Sequence, residues 1–171
     1  MQRVLNQFAE GMSLQDILDS HSQLLEELKV SRVNSEEIVK QNLKIVDNLA
    51  ICDLSETGQR VNGYLVSAIA GPEAIACCVI HGYYEGSIED ANKPALGASF
   101  YANSFRAESN PYDLSKFATL LDETGGGHAN ACGCRIQKEY ADGEKLTYED
   151  KEYNLEKWIQ LWKNRDETMI F

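Results

Sequence analysis

The sequence predicts an α/β domain preceded by an α-helical arm. Three observations carry that reading. Residues 1–50 repeat their apolar side chains at three- and four-residue steps, residues 74–83 form a nearly unbroken apolar run, and beyond it helix-period and strand-period segments alternate. With 171 residues, 43% hydrophobic and only three Pro, the chain is large and apolar enough to bury a core, which excludes disordered and collagen-like architectures.

Leu14, Ile17, Leu18, His21, Leu24, Leu25 and Leu28 share one stripe of a first helix, opened by Ser13 with Asp16 three residues on. Asn34 and Glu37 make a second capping pair, followed by Ile38, Val39, Ile45, Val46 and Leu49 on a second amphipathic helix. Residues 1–50 are thus expected to be a helical linker or oligomerisation arm, and residues 51–171 the domain. Within the domain, 49–54 reads as a short strand, and 58–70 as a helix with Val61, Tyr64, Leu65 and Ala68 inward, stopped by Gly71-Pro72. Residues 74–83 (AIACCVIHGY) read as a strand covered on both faces. Leu96, Ala98 and Phe100 alternate with Ser99, Tyr101 and Asn103 in another strand, and 112–122 is a helix with Leu114, Phe117, Ala118 and Leu121 inward. A glycine-rich loop follows at Gly125-Gly126-Gly127-His128. Strands over 131–140 and 144–148 then flank an Asp142-Gly143 turn, and Thr147 with Asp150 caps a last helix that docks through Trp158 and Trp162.

Charge and cysteine usage limit the functional classes. The net charge is −11. Residues 1–58 carry 10 acids against 5 bases, 59–138 carry 8 against 6, and 139–171 carry 9 against 5. Electrostatic steering onto duplex nucleic acid is therefore disfavoured, and any phosphate ligand needs a small local site in the nearly neutral middle segment. An odd set of cysteines, Cys52, Cys77, Cys78, Cys132 and Cys134, falls mostly inside apolar runs and reads as buried reduced thiols; they lack the spacing of a zinc site. With no signal-like start and no apolar run of membrane-spanning length, a cytoplasmic, membrane-free location is expected.

The glycine run holds the chemical information. Consecutive glycines persist where the backbone needs positive φ or where a ligand approaches it closely, and N–H groups converging in such a turn bind anions; a neighbouring histidine adds a switchable donor. Read from the residues alone, anion binding and a plain tight turn are equally good explanations. Arg106 suits bidentate phosphate contacts, and Asn130 either donates to a phosphate or base edge or caps the turn. His81 at a strand end and Arg135 on the strand after the loop rank second; the competing readings are a packed histidine and a surface ion pair. Tyr83-Tyr84 offers a minor stacking surface, and His21 reads as packed within the arm.

The string Gly125-Gly126-Gly127-His128-Ala129-Asn130-Ala131-Cys132-Gly133 resembles the GGGH-x-x-A-A-G signature of the DHH-associated domain, the C-terminal substrate-binding half of DHH phosphoesterases, with Cys132 in place of the second Ala. Ser104-Phe105-Arg106 resembles the family's S-x-R at a strand end, and Asp113-Leu114-Ser115-Lys116-Phe117-Ala118 resembles the helix leading into the loop. The likeness spans about 59–138 and is nearest to the nano-RNase and oligoribonuclease branch. It implies a mixed central sheet flanked by helices, with Ser104, Arg106, Gly125, Gly126, Gly127, His128 and Asn130 binding a substrate phosphate. It also implies manganese, held on D-x-D and D-H-H motifs of a catalytic domain. This sequence contains neither motif: His21, His81 and His128 are isolated, so no metal site and no activity are expected of this chain alone. The expected partners are a short single-stranded oligonucleotide or nucleotide, a separate DHH catalytic domain and, through the arm's apolar stripes, a second copy in a homodimer. A stand-alone nucleotide-sequestering module and a structural oligomerisation remnant are the alternatives.

Overall fold

The computed structural model describes residues 2–90, 93, 95–139 and 146–169. Two compact units divide the chain, residues 1–38 and 39–171. The first consists of α1 (Gln2–Ala9), α2 (Leu14–Ser20) and most of α3 (Ser22–Asn42). Ser13 caps α2 as its sequence position suggests, its Oγ accepting from Asp16 N at 3.2 Å. The helix pattern of 14–28 is interrupted at His21, the C-cap of α2, whose ring packs in the arm with Nε2 2.8 Å from Gln7 Oε1. Asn34 opens no new helix. It lies inside α3, which runs without a break and carries the Arg32–Glu36 ion pair across one turn at 2.9 Å.

The second unit holds a six-stranded mixed sheet in the order β1-β2-β3-β4-β6-β5. Its strands are β1 (Leu43–Val46), β2 (Leu49–Asp53), β3 (Ala76–Ile80), β4 (Gly97–Ala102), β5 (Gly126–His128) and β6 (Ala131–Arg135). The expected second helix therefore ends at Asn42. Residues 43–53 form an antiparallel hairpin whose turn residues Asp47 and Asn48 both have positive φ, the geometry that matches the twist of paired strands. Residues 39–50, expected in the arm, thus belong to the second unit and begin its sheet.

β2 and β3 are parallel, linked through α4 (Gly63–Ala70) and a single 3-10 turn at Gly71–Glu73; the other pairs are antiparallel. α4 is shorter than expected and starts where Asn62 Oδ1 accepts from Tyr64 N at 2.9 Å. Its buried residues are Gly63, Val66 and Ser67, so Tyr64 and Ala68 point outward, contrary to the sequence reading. The reason is close approach: a Cβ on Gly63 would lie 2.0 Å from the Tyr101 ring, so the helix can meet β4 only through a glycine.

Successive residues of β3 serve opposite faces. Cys77 meets α4, its thiol donating to Gly63 O at 3.3 Å. Cys78 joins the main core with Phe100, Phe117 of α5 (Leu114–Leu121) and Trp158 and Trp162 of α6 (Tyr148–Lys163). Covered on both sides, all five residues of β3 are buried, as its apolar run predicts. Phe100 stacks edge-on against both Phe117 and Trp158. α6 opens on the expected Thr147–Asp150 capping box and docks through its tryptophans, Trp162 Nε1 donating to Asp47 O at 2.8 Å. Lys151, almost fully buried, reaches Asp53 Oδ2 and Ser55 Oγ, each at 3.0 Å, and ties α6 to the end of β2. A short α7 (Arg165–Thr168) follows, with Arg165 paired to the Asp47 carboxylate.

The strands expected over 131–140 and 144–148 around Asp142-Gly143 depart from the reading at their described ends. β6 ends at Arg135, Thr147 is a helix cap and Tyr148 is helical; residues 140–145 lie outside the described residues. β6 pairs instead with β4 and β5. All five cysteines are free and buried, and burial pushes their thiols up, Cys52 and Cys132 to about 12 and Cys77 to about 11. No helix among the described residues is long and apolar enough to cross a membrane.

Candidate functional site

The glycine run is an edge strand rather than a turn. Gly126, Gly127 and His128 pair with Gly133, Cys132 and Ala131, and the reversal falls at Ala129-Asn130. Each glycine answers a different demand. A Cβ on Gly125 would lie 2.6 Å from Ala118 O, at the end of α5. A Cβ on Gly127, at φ +146, would lie 2.5 Å from Ala131 O. Gly126 has nothing within 4 Å of an added Cβ and no positive φ, so the fold itself does not require glycine there. Alternate residues of this strand turn their N–H and C=O groups away from β6, and among the described residues no further strand covers that edge. His128 is exposed at its end.

Asp122 holds the entrance to this strand. Its carboxylate accepts from Thr124 N and Oγ1 at 2.8 Å and from Arg135 N at 2.9 Å, while Gly125 N donates to its carbonyl at 2.8 Å. Burial acts to raise the Asp122 pKa, but the Thr124 and Arg135 donors prevail and hold it below the usual carboxylate range. The far end is clamped as well: Ala102 N donates to Asn130 O, and Leu114 N to Ala129 O, both at 2.9 Å.

Against that clamped turn lies a cleft of about 540 Å³ lined by Tyr64, Asn103, Ser104, Arg106, Glu108 and Asn130, among others. The fold thus brings Ser104, Arg106 and Asn130 together. Gly125 leads into the adjoining edge strand of Gly126, Gly127 and His128, and none of the four lines the cleft. Asn103 shapes the Ser104–Arg106 turn. Its amide donates to Gly71 O and Ala74 O at 2.8 Å, and its Oδ1 accepts from Phe105 N at 3.0 Å. Arg106 Nη2 pairs with Glu108 Oε2 at 3.2 Å; the arginine side chain is 22% exposed and the glutamate 83%, so the acid is the solvent-exposed partner and the pair is weak. Tyr64 presents a half-exposed ring beside these donors, braced by Tyr101 at a centroid distance of 5.7 Å.

The two second-rank residues lie elsewhere. Tyr101 pairs with Ala131 at one end of the β4–β6 ladder and Gly97 with Arg135 at the other; His81 N donates to Gly97 O at 3.0 Å. At about 3.3 Å per residue, His81 and Arg135 are on the order of 15 Å from the Ser104–Arg106 end. His81 lines a separate cleft of about 380 Å³. Among the described residues, no group of three or more His, Cys, Asp or Glu is placed to hold a metal ion, so the side chains described do not fit a two-manganese centre. Tyr64, Asn103 and Asp122 were not singled out by sequence reasoning as site residues. Only Asn103, polar at the end of an apolar strand, carried a signal that was available.

No protein-family model matches the chain, and no curated protein matches it either. Solved structures do. A pGpG-specific phosphodiesterase, PggH from Vibrio cholrae, superposes with a TM-score of 0.66 at 17% identity over 90% of this chain. An exopolyphosphatase-related protein from Bacteroides fragilis does so with a TM-score of 0.53 at 18% identity over 92% of it. The chain spans 46% and 41% of the length of those two proteins. At these identities the likeness is one of fold, and it is consistent with the DHH-associated fold that the GGGH string implies.

Proposed function

We propose that this chain is the phosphate- or nucleotide-binding half of a DHH-type phosphoesterase. Its cleft holds the terminal phosphate of a short single-stranded oligonucleotide or nucleotide, and hydrolysis belongs to a manganese-bearing domain that is not in this sequence. The observation that carries the reading is convergence: Ser104 and Arg106, from the turn after β4, and Asn130, from the distant turn between β5 and β6, line one cleft beside the glycine edge strand. The two fold neighbours, one a pGpG-specific phosphodiesterase and the other exopolyphosphatase-related, are both named for phosphate chemistry, which favours it.

In this reading the Arg106 guanidinium exchanges Glu108 for the phosphate, with the Ser104 hydroxyl and Asn130 amide as further donors. The Tyr64 ring receives the first base, and the missing side chain at Gly126 lets the ligand backbone approach β5. Holding the end of the ligand positions the next phosphodiester for the catalytic domain. We further propose that the arm, with Leu14, Leu18, Leu24 and Leu28 exposed, joins two copies; sedimentation of a 19.2 kDa monomer at all concentrations would remove that part.

The test is calorimetric titration with pGpG and with unphosphorylated GpG. The phosphorylated ligand is expected to bind at least tenfold more tightly. Arg106→Ala is expected to erase that difference, at about 1.5–3 kcal/mol for a hydrogen bond to a charged group. Equal affinities for the two ligands, or an unaffected Arg106→Ala variant, refute the proposal.

A further inference from the structure

The cleft at the opposite end of the sheet has features the proposed function does not use. It opens beyond the carboxyl ends of the parallel pair β2 and β3, where α/β sheets commonly receive ligands, and its 380 Å³ is within the range of small-molecule sites. Arg60, His81, Tyr83, Tyr84 and Lys93 line it. Arg60 is exposed and makes no ion pair among the described residues, and in a chain of net charge −11 a wall with two cations runs against the average. The acid on the same wall is Glu85. Asp90 sits near the lysine: a Cβ at Gly86 would lie 2.8 Å from Lys93 Cε and 3.2 Å from Asp90 Oδ2.

His81 supplies an independent observation. Its Nε2 lies 2.9 Å from Ser99 Oγ, while Nδ1 is buried with no hydrogen-bond partner among the described residues. Buried polar atoms are nearly always paired, and an exception calls for an explanation. Burial, and then the nearby Arg60, hold the imidazole below its ordinary pKa, so the ring is neutral near pH 7. When Ser99 donates to Nε2, Nδ1 carries the proton and is a donor. The wall is also preformed. A Cβ at Gly82 would lie 2.3 Å from Leu54 O, so His81 and Tyr83 are pinned against the segment leaving β2, with the Tyr84 ring 75% exposed beside them.

We infer that this cleft is a second ligand site, separate from the Arg106 cleft, that takes a nucleoside monophosphate, its phosphate against Arg60 and Lys93, beside the His81 ring, and its base on Tyr84. The two cations select the phosphate, and the aromatic ring selects a nucleotide over the bare anion. The inference does not depend on the Arg106 cleft binding anything.

The test is nitrogen-15 NMR of the histidine rings of the full chain, titrated separately with adenosine monophosphate, guanosine monophosphate and inorganic phosphate. At least one nucleotide is expected to shift the His81 ring resonances to saturation, at least tenfold more tightly than inorganic phosphate does. Arg60→Gln, at an exposed position where folding is not at stake, is expected to weaken that nucleotide at least fivefold, and Arg106→Ala to leave it unchanged. The inference is overturned if neither nucleotide moves His81 at millimolar concentration. It is equally overturned if phosphate and nucleotide bind alike, if Arg60→Gln behaves as wild type, or if Arg106→Ala abolishes the shift.

Discussion

Gly126 and Gly127 are neighbours in β5, and replacing each by alanine separates what the fold needs from what a ligand needs. A Cβ on Gly127 would lie 2.5 Å from Ala131 O and 2.6 Å from Cys132 Cα, at a φ of +146 that L side chains rarely adopt. Both obstacles are backbone, so relief requires opening the β5–β6 pair. Overpacking costs about 1–3 kcal/mol, and a residue held in a sparsely populated backbone region adds about 1–3 kcal/mol. Alanine recovers only about 0.5–1 kcal/mol through the lower entropy of its unfolded chain. Gly127→Ala is therefore expected to destabilise the domain by about 2–5 kcal/mol. An added Cβ at Gly126 meets nothing within 4 Å, so Gly126→Ala is expected to be neutral or to stabilise by up to about 1 kcal/mol. Urea unfolding followed by the fluorescence of buried Trp158 and Trp162 reads both variants from the same unit. A Gly127→Ala variant within 1 kcal/mol of Gly126→Ala would refute the claim that pairing with β6 imposes the second glycine and not the first. Because an added Cβ at Gly126 meets nothing within 4 Å, Gly126→Val also tests the edge strand as a ligand surface. A tenfold loss of pGpG affinity is expected, and unchanged affinity removes Gly126 from the site.

Three other perturbations follow from the same geometry. Glu108→Gln frees Arg106 from an exposed ion pair and is expected to tighten pGpG by up to about fivefold, matching the roughly 0.2–1 kcal/mol of such pairs, as read by calorimetry; weaker binding would contradict the exchange of Glu108 for phosphate. Asn103→Ala leaves the carbonyls of Gly71 and Ala74 without their donor and is expected to cost about 2–3 kcal/mol of stability, and to weaken pGpG although Asn103 is placed as a brace; rescue by Asp, which cannot donate, would contradict the role given to its amide. Lys151→Met breaks a pair whose lysine side chain is 7% exposed and whose Asp53 is 27% exposed, and is expected to cost about 3 kcal/mol, the lower end for a buried pair. Burial opposes both charges, yet the Ser55 and Lys151 donors hold Asp53 below its ordinary pKa and Asp53 holds Lys151 above its own. The Asp53 contribution is therefore full above its unfolded pKa of about 4 and lost as pH falls through the lower folded value. The Lys151 contribution is full below about 10.4 and lost as pH rises through the higher folded value. Wild type and Lys151→Met unfolding with identical pH profiles would show that the pair contributes nothing.

Local signals determined what the sequence could determine by itself. The unbroken apolar run of β3 states that both faces are covered, the periods of α5 and α6 name the residues that dock, and the Ser13 and Thr147 caps mark two helix starts. Each of these depends on neighbours within about one turn or one strand. The strand expected over 49–54 is β2, but residues 43–48 misled for the same reason. Ile45, Val46 and Leu49 fit a helical stripe over so short a span, and an Asp47-Asn48 turn without glycine declares itself only once two strands demand positive φ. Tertiary pairing alone decided the site. Tyr64 faces the cleft because Tyr101 occupies the space against Gly63, and the glycines form an edge strand because β6 is there to pair with. Arg106 and His81 were candidates for one anion site. They lie at opposite ends of the sheet because the antiparallel register of β3, β4 and β6 sends residues after β4 to one end and residues after β3 to the other. That register is set by contacts between residues distant in the chain, and no local pattern encodes it.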